Sequence, residues 1–598
     1  MAAFTSKAAG NWSASGQTTW NEVGVPGSGD TVTITHAITV DVTTTVGDQP
    51  GTDTVVLSVS GVDLTVADGV TFTIRGGASF NNGKFIVGAG CTVEYDVPSG
   101  QTYSVLLGTA GSQARIPRLV VNGTSGARSY YQSKAGGGVA HHPNGSSLAR
   151  VSCVDATYCT FTRIGNSSLP AFRPGLNGSN DVLRLTNVIL DACGAINHPI
   201  GIAAGGIVDF QQVTWKNTAA STTYTNNGST TPTNTRRFKN VVFDKGGQWP
   251  LGGYTYDNVV WYGTPTFLAG ANVDVGLWQN CLIRSTNAGG SAVAFAGRGT
   301  FLDTYLLEDH SNANPHGAQL GAGSGDQVID GWLVEYTGTS TTGDCFTAAA
   351  PASARLVTLK RCLILPNSSG GQSGTLLSCL AGANFSAILE HNTAIVTAAN
   401  SGLVVGETYA GYAGMIQSFK SNLMWRATAG TGWKIFRDAA GTGTADICAP
   451  GNADYNAGWN LGAGTDGKGY QASSGTMFST APGTHDLADQ DPQFVDASRD
   501  LASWDAALGG AGTVANALAE LMKLNDTAGY NTSYNIPALL TYLRGGFAPT
   551  AVALQGAGHD GVDIGAVAVV AGQPVTKRTA GVPGVNGTPF IFGGPSRW

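Results

Sequence analysis

One short phrase recurs through the middle of this chain and limits what it can fold into. It is a polar residue, often Asn, followed by three mostly apolar residues. The series begins Asn187-Val188-Ile189-Leu190, Gln212-Val213-Thr214-Trp215, Asn240-Val241-Val242-Phe243, Asn258-Val259-Val260-Trp261 and Asn280-Cys281-Leu282-Ile283. It continues with Thr304-Tyr305-Leu306-Leu307, Gly331-Trp332-Leu333-Val334, Arg361-Cys362-Leu363-Ile364, Asn392-Thr393-Ala394-Ile395 and Asn422-Leu423-Met424-Trp425. The steps between leading residues are 25, 28, 18, 22, 24, 27, 30, 31 and 30. The β-branched and aromatic content makes each phrase a strand. Such steps leave little room for a helix between strands, which argues against βαβ units. The Leu/Asn consensus of leucine-rich repeats is absent. What remains is a solenoid in which each coil pairs with the next, about 4.8 Å away. The leading Asn fits a corner between sheets, because it tolerates the left-handed region and can bond along a stacked ladder.

Composition agrees. The chain has 598 residues, of which 85 are Gly and only 12% are charged. Turn formers are many and helix formers few. With 42% hydrophobic residues it can bury a core, which excludes a disordered chain. The net charge of -7 and the lack of a basic block argue against a nucleic-acid partner. No run of about 18 apolar residues predicts a membrane span. Met1 to Asn11 lacks a basic start followed by an apolar run, so no signal peptide is expected. The nine Cys form no CxxC pair, and several lie inside apolar runs; buried free thiols are expected.

The ends differ from the middle. Gly10-Asn11-Trp12, Thr19-Trp20 and the run Pro26-Gly27-Ser28-Gly29-Asp30-Thr31-Val32-Thr33-Ile34 place a turn before an alternating strand. An open solenoid end exposes a strand edge, so residues 1–50 are expected to form a cap and the first coils. Towards the other end, Asp491-Pro492-Gln493-Phe494-Val495-Asp496 and Gly561-Val562-Asp563-Ile564-Gly565-Ala566 flank two expected helices. One runs from Val514 to Leu524 behind the N-cap Thr513, the other from Ile536 to Leu543 with Pro537 in its first turn. The tail from Pro574 to Trp598 is rich in Gly and Pro and predicts an extended arm.

The opening segment resembles the start of many bacterial and phage β-helix proteins, and the two late phrases resemble the closing phrases of right-handed parallel β-helix proteins. Together they resemble the phage and prophage virion class. The resemblance implies an all-β fold, a right-handed parallel β-helix over 51–470, with the N-terminal cap and a mixed closing region at 471–598. It also implies a virion location and other virion proteins as partners. About 16 coils should then span about 75 Å.

Chemistry is sparse. The His show no HxH or HExxH spacing, and no G-x-S-x-G elbow or Walker loop occurs, so neither a metal nor a cofactor is expected. Superimposing the repeats places Glu308 beside Glu335, four residues after their leading positions, and Asp303 beside Asp330, one residue before. Two carboxylates about 5 Å apart suit a retaining glycosidase and a wider pair an inverting one. The competing reading is a solvated charge ladder offset by Arg284 and Lys360. Glu308-Asp309-His310 and His316 mark the best place to look for a site.

Three functions compete. One is a virion appendage (spike, fibre or capsid decoration) with little or no catalysis, presenting its surface to host carbohydrate. Another is a tailspike-type polysaccharide depolymerase, and the third a bacterial adhesin-like carbohydrate-binding solenoid. The solenoid begins almost at once, without a separate particle-binding domain, which favours the first. Finally, the middle apolar position of the phrases (Ile189, Val242, Val260, Leu282, Leu306, Leu333, Leu363, Met424) should face outward as an apolar stripe. A homo-oligomer interface would cover it, a trimer by resemblance to phage spikes; coverage by the chain's own loops is the alternative.

Overall fold

The computed structural model describes residues 2–566 apart from intervening segments, the longest being 110–117, 142–149, 173–181, 199–206, 227–235, 269–276, 366–374, 407–415, 439–447, 461–469 and 473–482. The described chain is predominantly β and almost wholly parallel-paired, with three short helices near its C-terminal end. No described helix is long and apolar enough to cross a membrane.

The strands stand in three rows. The first runs from Gly10–Asn11 through Ile38–Val40, Leu64–Val66 and Lys84–Val87, and on to Ala453–Asp454. Its sixteen successive parallel pairings join seventeen described strands. At about 4.8 Å per rung that row is about 75 Å long. A second row lies just after the first in each repeat, from Thr44–Val46 to Ala457–Trp459. The third row is made of separate stretches, including Ala3–Thr5 to Val139–His141 and Ser291–Phe295 to Tyr470–Ala472. Pairing crosses residues 50 and 470: Val32 partners Leu57, and Ala457 bridges Leu487.

From Asn187 on, one residue per described repeat turns the chain from the first row into the second. Asn187, Gln212, Asn240, Asn258, Asn280, Asp303, Arg361, His391, Ser421 and Tyr455 all have φ between 43° and 62°, and Gly331 has 74°. Asn suits this corner because its short polar side chain tolerates the left-handed region. Stacking along the corner follows as expected, with Asn258 Nδ2 donating to Asn240 Oδ1 at 2.8 Å.

In seven phrases the leading residue is this corner. In three the phase is one residue off, because Asp303, His391 and Ser421 turn the chain rather than Thr304, Asn392 and Asn422. Side chains alternate with period two, so the slip reverses what points inward. Val188, Leu190, Val213, Trp215, Val241, Phe243, Val259 and Trp261 fill the interior as expected. After Asp303, however, Leu306 is inside while Tyr305 and Leu307 face out; after Ser421, Met424 is inside and Leu423 out. Interior rings contact one another from rung to rung, as in Phe243–Trp261 at 6.0 Å and Trp261–Trp278 at 5.4 Å.

The shifted asparagines do different work. Asn392, Asn422 and Asn456 are fully buried and stack through the interior. Asn392 Nδ2 donates to Asn422 Oδ1 at 3.0 Å, and Asn422 Nδ2 to Asn456 Oδ1 at 3.1 Å. Each also accepts a backbone N–H from the rung below and donates to a carbonyl, so the buried amides are satisfied. The eight cysteines whose side chains are described are all buried.

The C-terminal segment folds back along the second row. Two helices are expected there; the described residues hold three: α1 Leu501–Ala507, α2 Val514–Met522 and α3 Ile536–Gly546. The unexpected α1 is only seven residues long, too short for an apolar period to declare itself. A reciprocal Asp500–Ser503 capping box starts it. Thr513 and Asn535 cap the other two as N-caps should. Asp505 ties the three together, accepting from Gly512 N, Thr513 N, Asn516 Nδ2 and Tyr534 Oη at 2.7–3.2 Å.

This segment covers the apolar stripe. Val242, Val260, Leu282, Leu333 and Leu363 pack in one cluster with Trp504, Leu518, Leu521, Leu539, Leu540 and Leu543. At these five positions the cover is therefore the chain's own helices rather than a second copy, while Leu306 and Met424 point inward and Ile189 is half-buried outside this cluster. Each large side chain so buried contributes about 1.5–3 kcal/mol. His310 and the tail 574–598 lie outside the described residues, as does the His316 side chain.

Three outcomes follow. Asn422→Ala leaves the Asn392 N–H, the Leu389 carbonyl and Asn456 Oδ1 short of a partner, and should lower stability by about 3–5 kcal/mol in denaturant unfolding. Asn258→Gly, at a corner that Gly adopts freely, should cost about 1 kcal/mol or less. A chain ending at residue 490 uncovers the stripe and should self-associate more than the full chain at equal concentration in light scattering.

Candidate functional site

The four carboxylates singled out from the sequence do not form one open site. The phase slip at Asp303 places Leu307 opposite Glu335, and Glu308 opposite Tyr336. Alternation then puts Glu308 on the inward face with Leu306, and Glu335 on the outward face with Leu333. The expected Glu308–Glu335 pair is corrected accordingly. Asp303 is likewise not opposite Asp330: Leu302 holds that register, and Asp303 sits one residue on, its N–H donating to the Asp330 carbonyl. Asp330 does align with Lys360, as expected.

Each of these groups has a structural partner or a buried setting. Arg361 forks onto both oxygens of Asp330. Arg544 of α3 reaches Asp303 Oδ1 at 3.0 Å and also the Gly331 carbonyl. Glu335 is 3% exposed. It accepts from Tyr305 Oη at 2.8 Å and from the Leu501 N–H, the first residue of α1, at 3.2 Å. That N–H has no partner within the helix, so Glu335 pins α1 to the strands. Burial raises the Glu335 pKa from 4.5 to about 7, against the opposing effect of the Tyr305 hydroxyl. Glu308 is 1% exposed.

A different group of side chains converges further along. The residues preceding the corners form a row of alternating sign, Asp330, Lys360, Glu390, Lys420 and Asp454. Lys360 and Glu390 pair at 2.7 Å. Across the corners His391, Ser421 and Tyr455 lies the loop 556–565. Ser421 Oγ accepts from the His559 N–H at 2.9 Å, the Ser421 carbonyl from Gly565 N at 2.8 Å, and Thr393 Oγ1 from Ala566 N at 2.7 Å. A Cβ on Gly558 would come 2.6 Å from the Val562 carbonyl oxygen, as well as 3.0 Å from Ser421 Oγ and 3.1 Å from the His391 ring, so glycine fits where the loop touches the strands.

The docked loop brings His559 and Asp560 to His391. His391 Nε2 lies 3.2 Å from Asp560 Oδ2, and the His391 and His559 rings are 5.3 Å apart. His391 Nδ1 bonds the Asp563 carbonyl at 3.1 Å, and His559 Nδ1 meets Ser421 Oγ at 2.9 Å. His559 Nε2 is 4.0 Å from Glu390 Oε1. Burial holds the His559 pKa below the usual imidazole value, although Glu390 and Asp560 pull it upward. Among the described residues this is where potential metal ligands gather: one atom each of His391, His559 and Asp560 lies within 4.8 Å of the others. Spacing motifs miss it because His391 and Asp560 are 169 residues apart. The available signal was Gly558-His559-Asp560-Gly561, which leads into the closing phrase.

No protein-family model, curated protein or solved structure matches the chain.

Glu335 gives a pH test. Its folded pKa is raised, so its contribution is full below the unfolded value of 4.5 and is lost as pH rises through about 7. Across that window the chain should lose on the order of 3 kcal/mol from this group. Glu335→Gln should flatten the slope of Tm against pH between 4.5 and 7, as followed by calorimetry.

Proposed function

We propose that the chain is a right-handed parallel β-helix whose work is structural. It serves as a phage or prophage virion appendage, a spike, fibre or capsid decoration, that presents a long surface to host carbohydrate. The opening segment and the two closing phrases support the class by resemblance. The observation that carries the non-catalytic reading is the fate of the carboxylates. Glycoside cleavage needs two carboxyl groups flanking one bond, about 5–5.5 Å apart for retention or about 6.5–9.5 Å for inversion. Glu308 and Glu335 point to opposite faces, while Asp303 and Asp330 are each paired with an arginine. A trimer, implied by the resemblance, must use a face other than the sealed stripe.

The purified chain, incubated with a panel of bacterial surface polysaccharides, should release neither new reducing ends nor unsaturated sugars. Antibodies against it should label particles in electron micrographs of induced lysates. Sugar release that Glu308→Gln or Glu335→Gln abolishes would overturn the non-catalytic reading. Lysates rich in particles that carry none of the chain would overturn the virion role.

A further inference from the structure

We propose that the loop 556–565 and the corner it docks on form a binding site for one divalent transition-metal ion of the zinc type. The ligands are His391 Nε2, His559 Nε2 and an Asp560 carboxylate oxygen, and the ion clips the C-terminal segment to the strand stack.

The first argument is the donor set. Two imidazoles and a carboxylate suit zinc and its neighbours, whereas calcium and magnesium favour all-oxygen sets. One potential ligand atom from each of the three residues lies within 4.8 Å of the others, and His391 Nε2 and Asp560 Oδ2 are 3.2 Å apart. Bonds of about 2.0–2.1 Å to a tetrahedral zinc put neighbouring ligand atoms about 3.3 Å apart. One pair therefore stands near that separation, and small movements of the other ligand complete the set.

The second argument is the orientation of the rings. A metal-bound histidine engages its other nitrogen with a carbonyl, carboxylate or water, which fixes the ring. His391 follows this rule, its Nδ1 held by the Asp563 carbonyl, and a hydroxyl, Ser421 Oγ, orients the His559 ring in the same way through Nδ1. Nε2 is left as the ligating nitrogen in each case. Asp563 is itself fixed, since its Oδ1 accepts the Gly556 N–H at 2.8 Å. The loop is thus built at both ends to hold the two rings.

The third argument is access and charge. His391 is buried, His559 half-buried and Asp560 exposed, so an ion can enter from solvent through the carboxylate. Glu390 adds negative charge 4.0 Å from His559 Nε2, but Lys360 and Ser418 hold its oxygens at 2.7 Å. It therefore balances charge beside the ion, and water completes the coordination.

The test uses the full chain, stripped with EDTA and titrated with zinc chloride alone. Calorimetry should show one zinc per chain at micromolar Kd or tighter, with a rise in Tm that EDTA reverses. Cobalt(II) should give the visible absorption of a tetrahedral site, and calcium and magnesium should leave Tm unchanged. His391→Gln and His559→Gln should each weaken zinc binding at least tenfold, and Asp560→Asn should weaken it too. Circular dichroism of the metal-free variants checks that they fold. If one variant misfolds, the other carries the test. Absence of zinc binding to the wild-type chain would overturn the proposal, leaving His391 and Asp560 as an ion pair only. Zinc binding that survives both His→Gln changes together would also overturn it, by placing the metal elsewhere.

Discussion

From Asn187 on, every described repeat turns on one residue held in the left-handed conformation, and everything after that residue inherits its parity. In a strand the side chains alternate, so shifting the corner by one position exchanges core for surface. Asn187, Asn240 and Asn258 send Val188, Val241 and Val259 inward. Asp303, His391 and Ser421 do the same job one place earlier than the apolar phrase suggests, which brings Leu306 and Met424 inside. The same slip separates Glu308 from Glu335, and it moves Asn392 and Asn422 from the corner into the buried ladder. One backbone choice thus decides which carboxylates can meet and which amides must be satisfied internally.

The second row leaves an apolar outer face, and the chain answers it with the segment that carries α1 to α3. Helices α1 to α3 bring Trp504, Leu518, Leu540 and Leu543 onto Val260, Leu282, Leu333 and Leu363. Polar groups set where the helices land: Glu335 meets the first N–H of α1, and Arg544 bridges Asp303 and the Gly331 carbonyl. Residues that look catalytic on a superposition of repeats are thereby the anchors of the covering segment. Beyond α3, the loop 556–565 continues the docking onto His391, Ser421 and Thr393, so the region chosen for a metal ion lies where the cover ends.

Much of the strand architecture was legible because repetition averages out local ambiguity. Ten phrases in order pointed to strands pairing from repeat to repeat, and seven of them had the right phase. The other three misled because Asn marks both an outer corner and an inner ladder, and only the backbone angle tells Asn258 from Asn392. The apolar stripe was also visible, but its cover was not, since apolar residues at helical spacing in 514–522 do not say which surface they meet. Helix α1 was missed because seven residues carry too little pattern. The histidine cluster was invisible for a simpler reason: a loop and a strand far apart in the chain are joined only by the fold.

The measurement that bears most directly on this architecture is native-state hydrogen exchange across the full chain. If the helices are part of the core, the slow amides of α2 and α3 should open together with the second-row amides of Leu333, Leu363 and Thr393, as one cooperative unit of similar free energy. If the helical amides instead exchange orders of magnitude faster than the strands beneath them, the C-terminal segment is a loosely tethered appendage, and the sealed-stripe architecture is wrong.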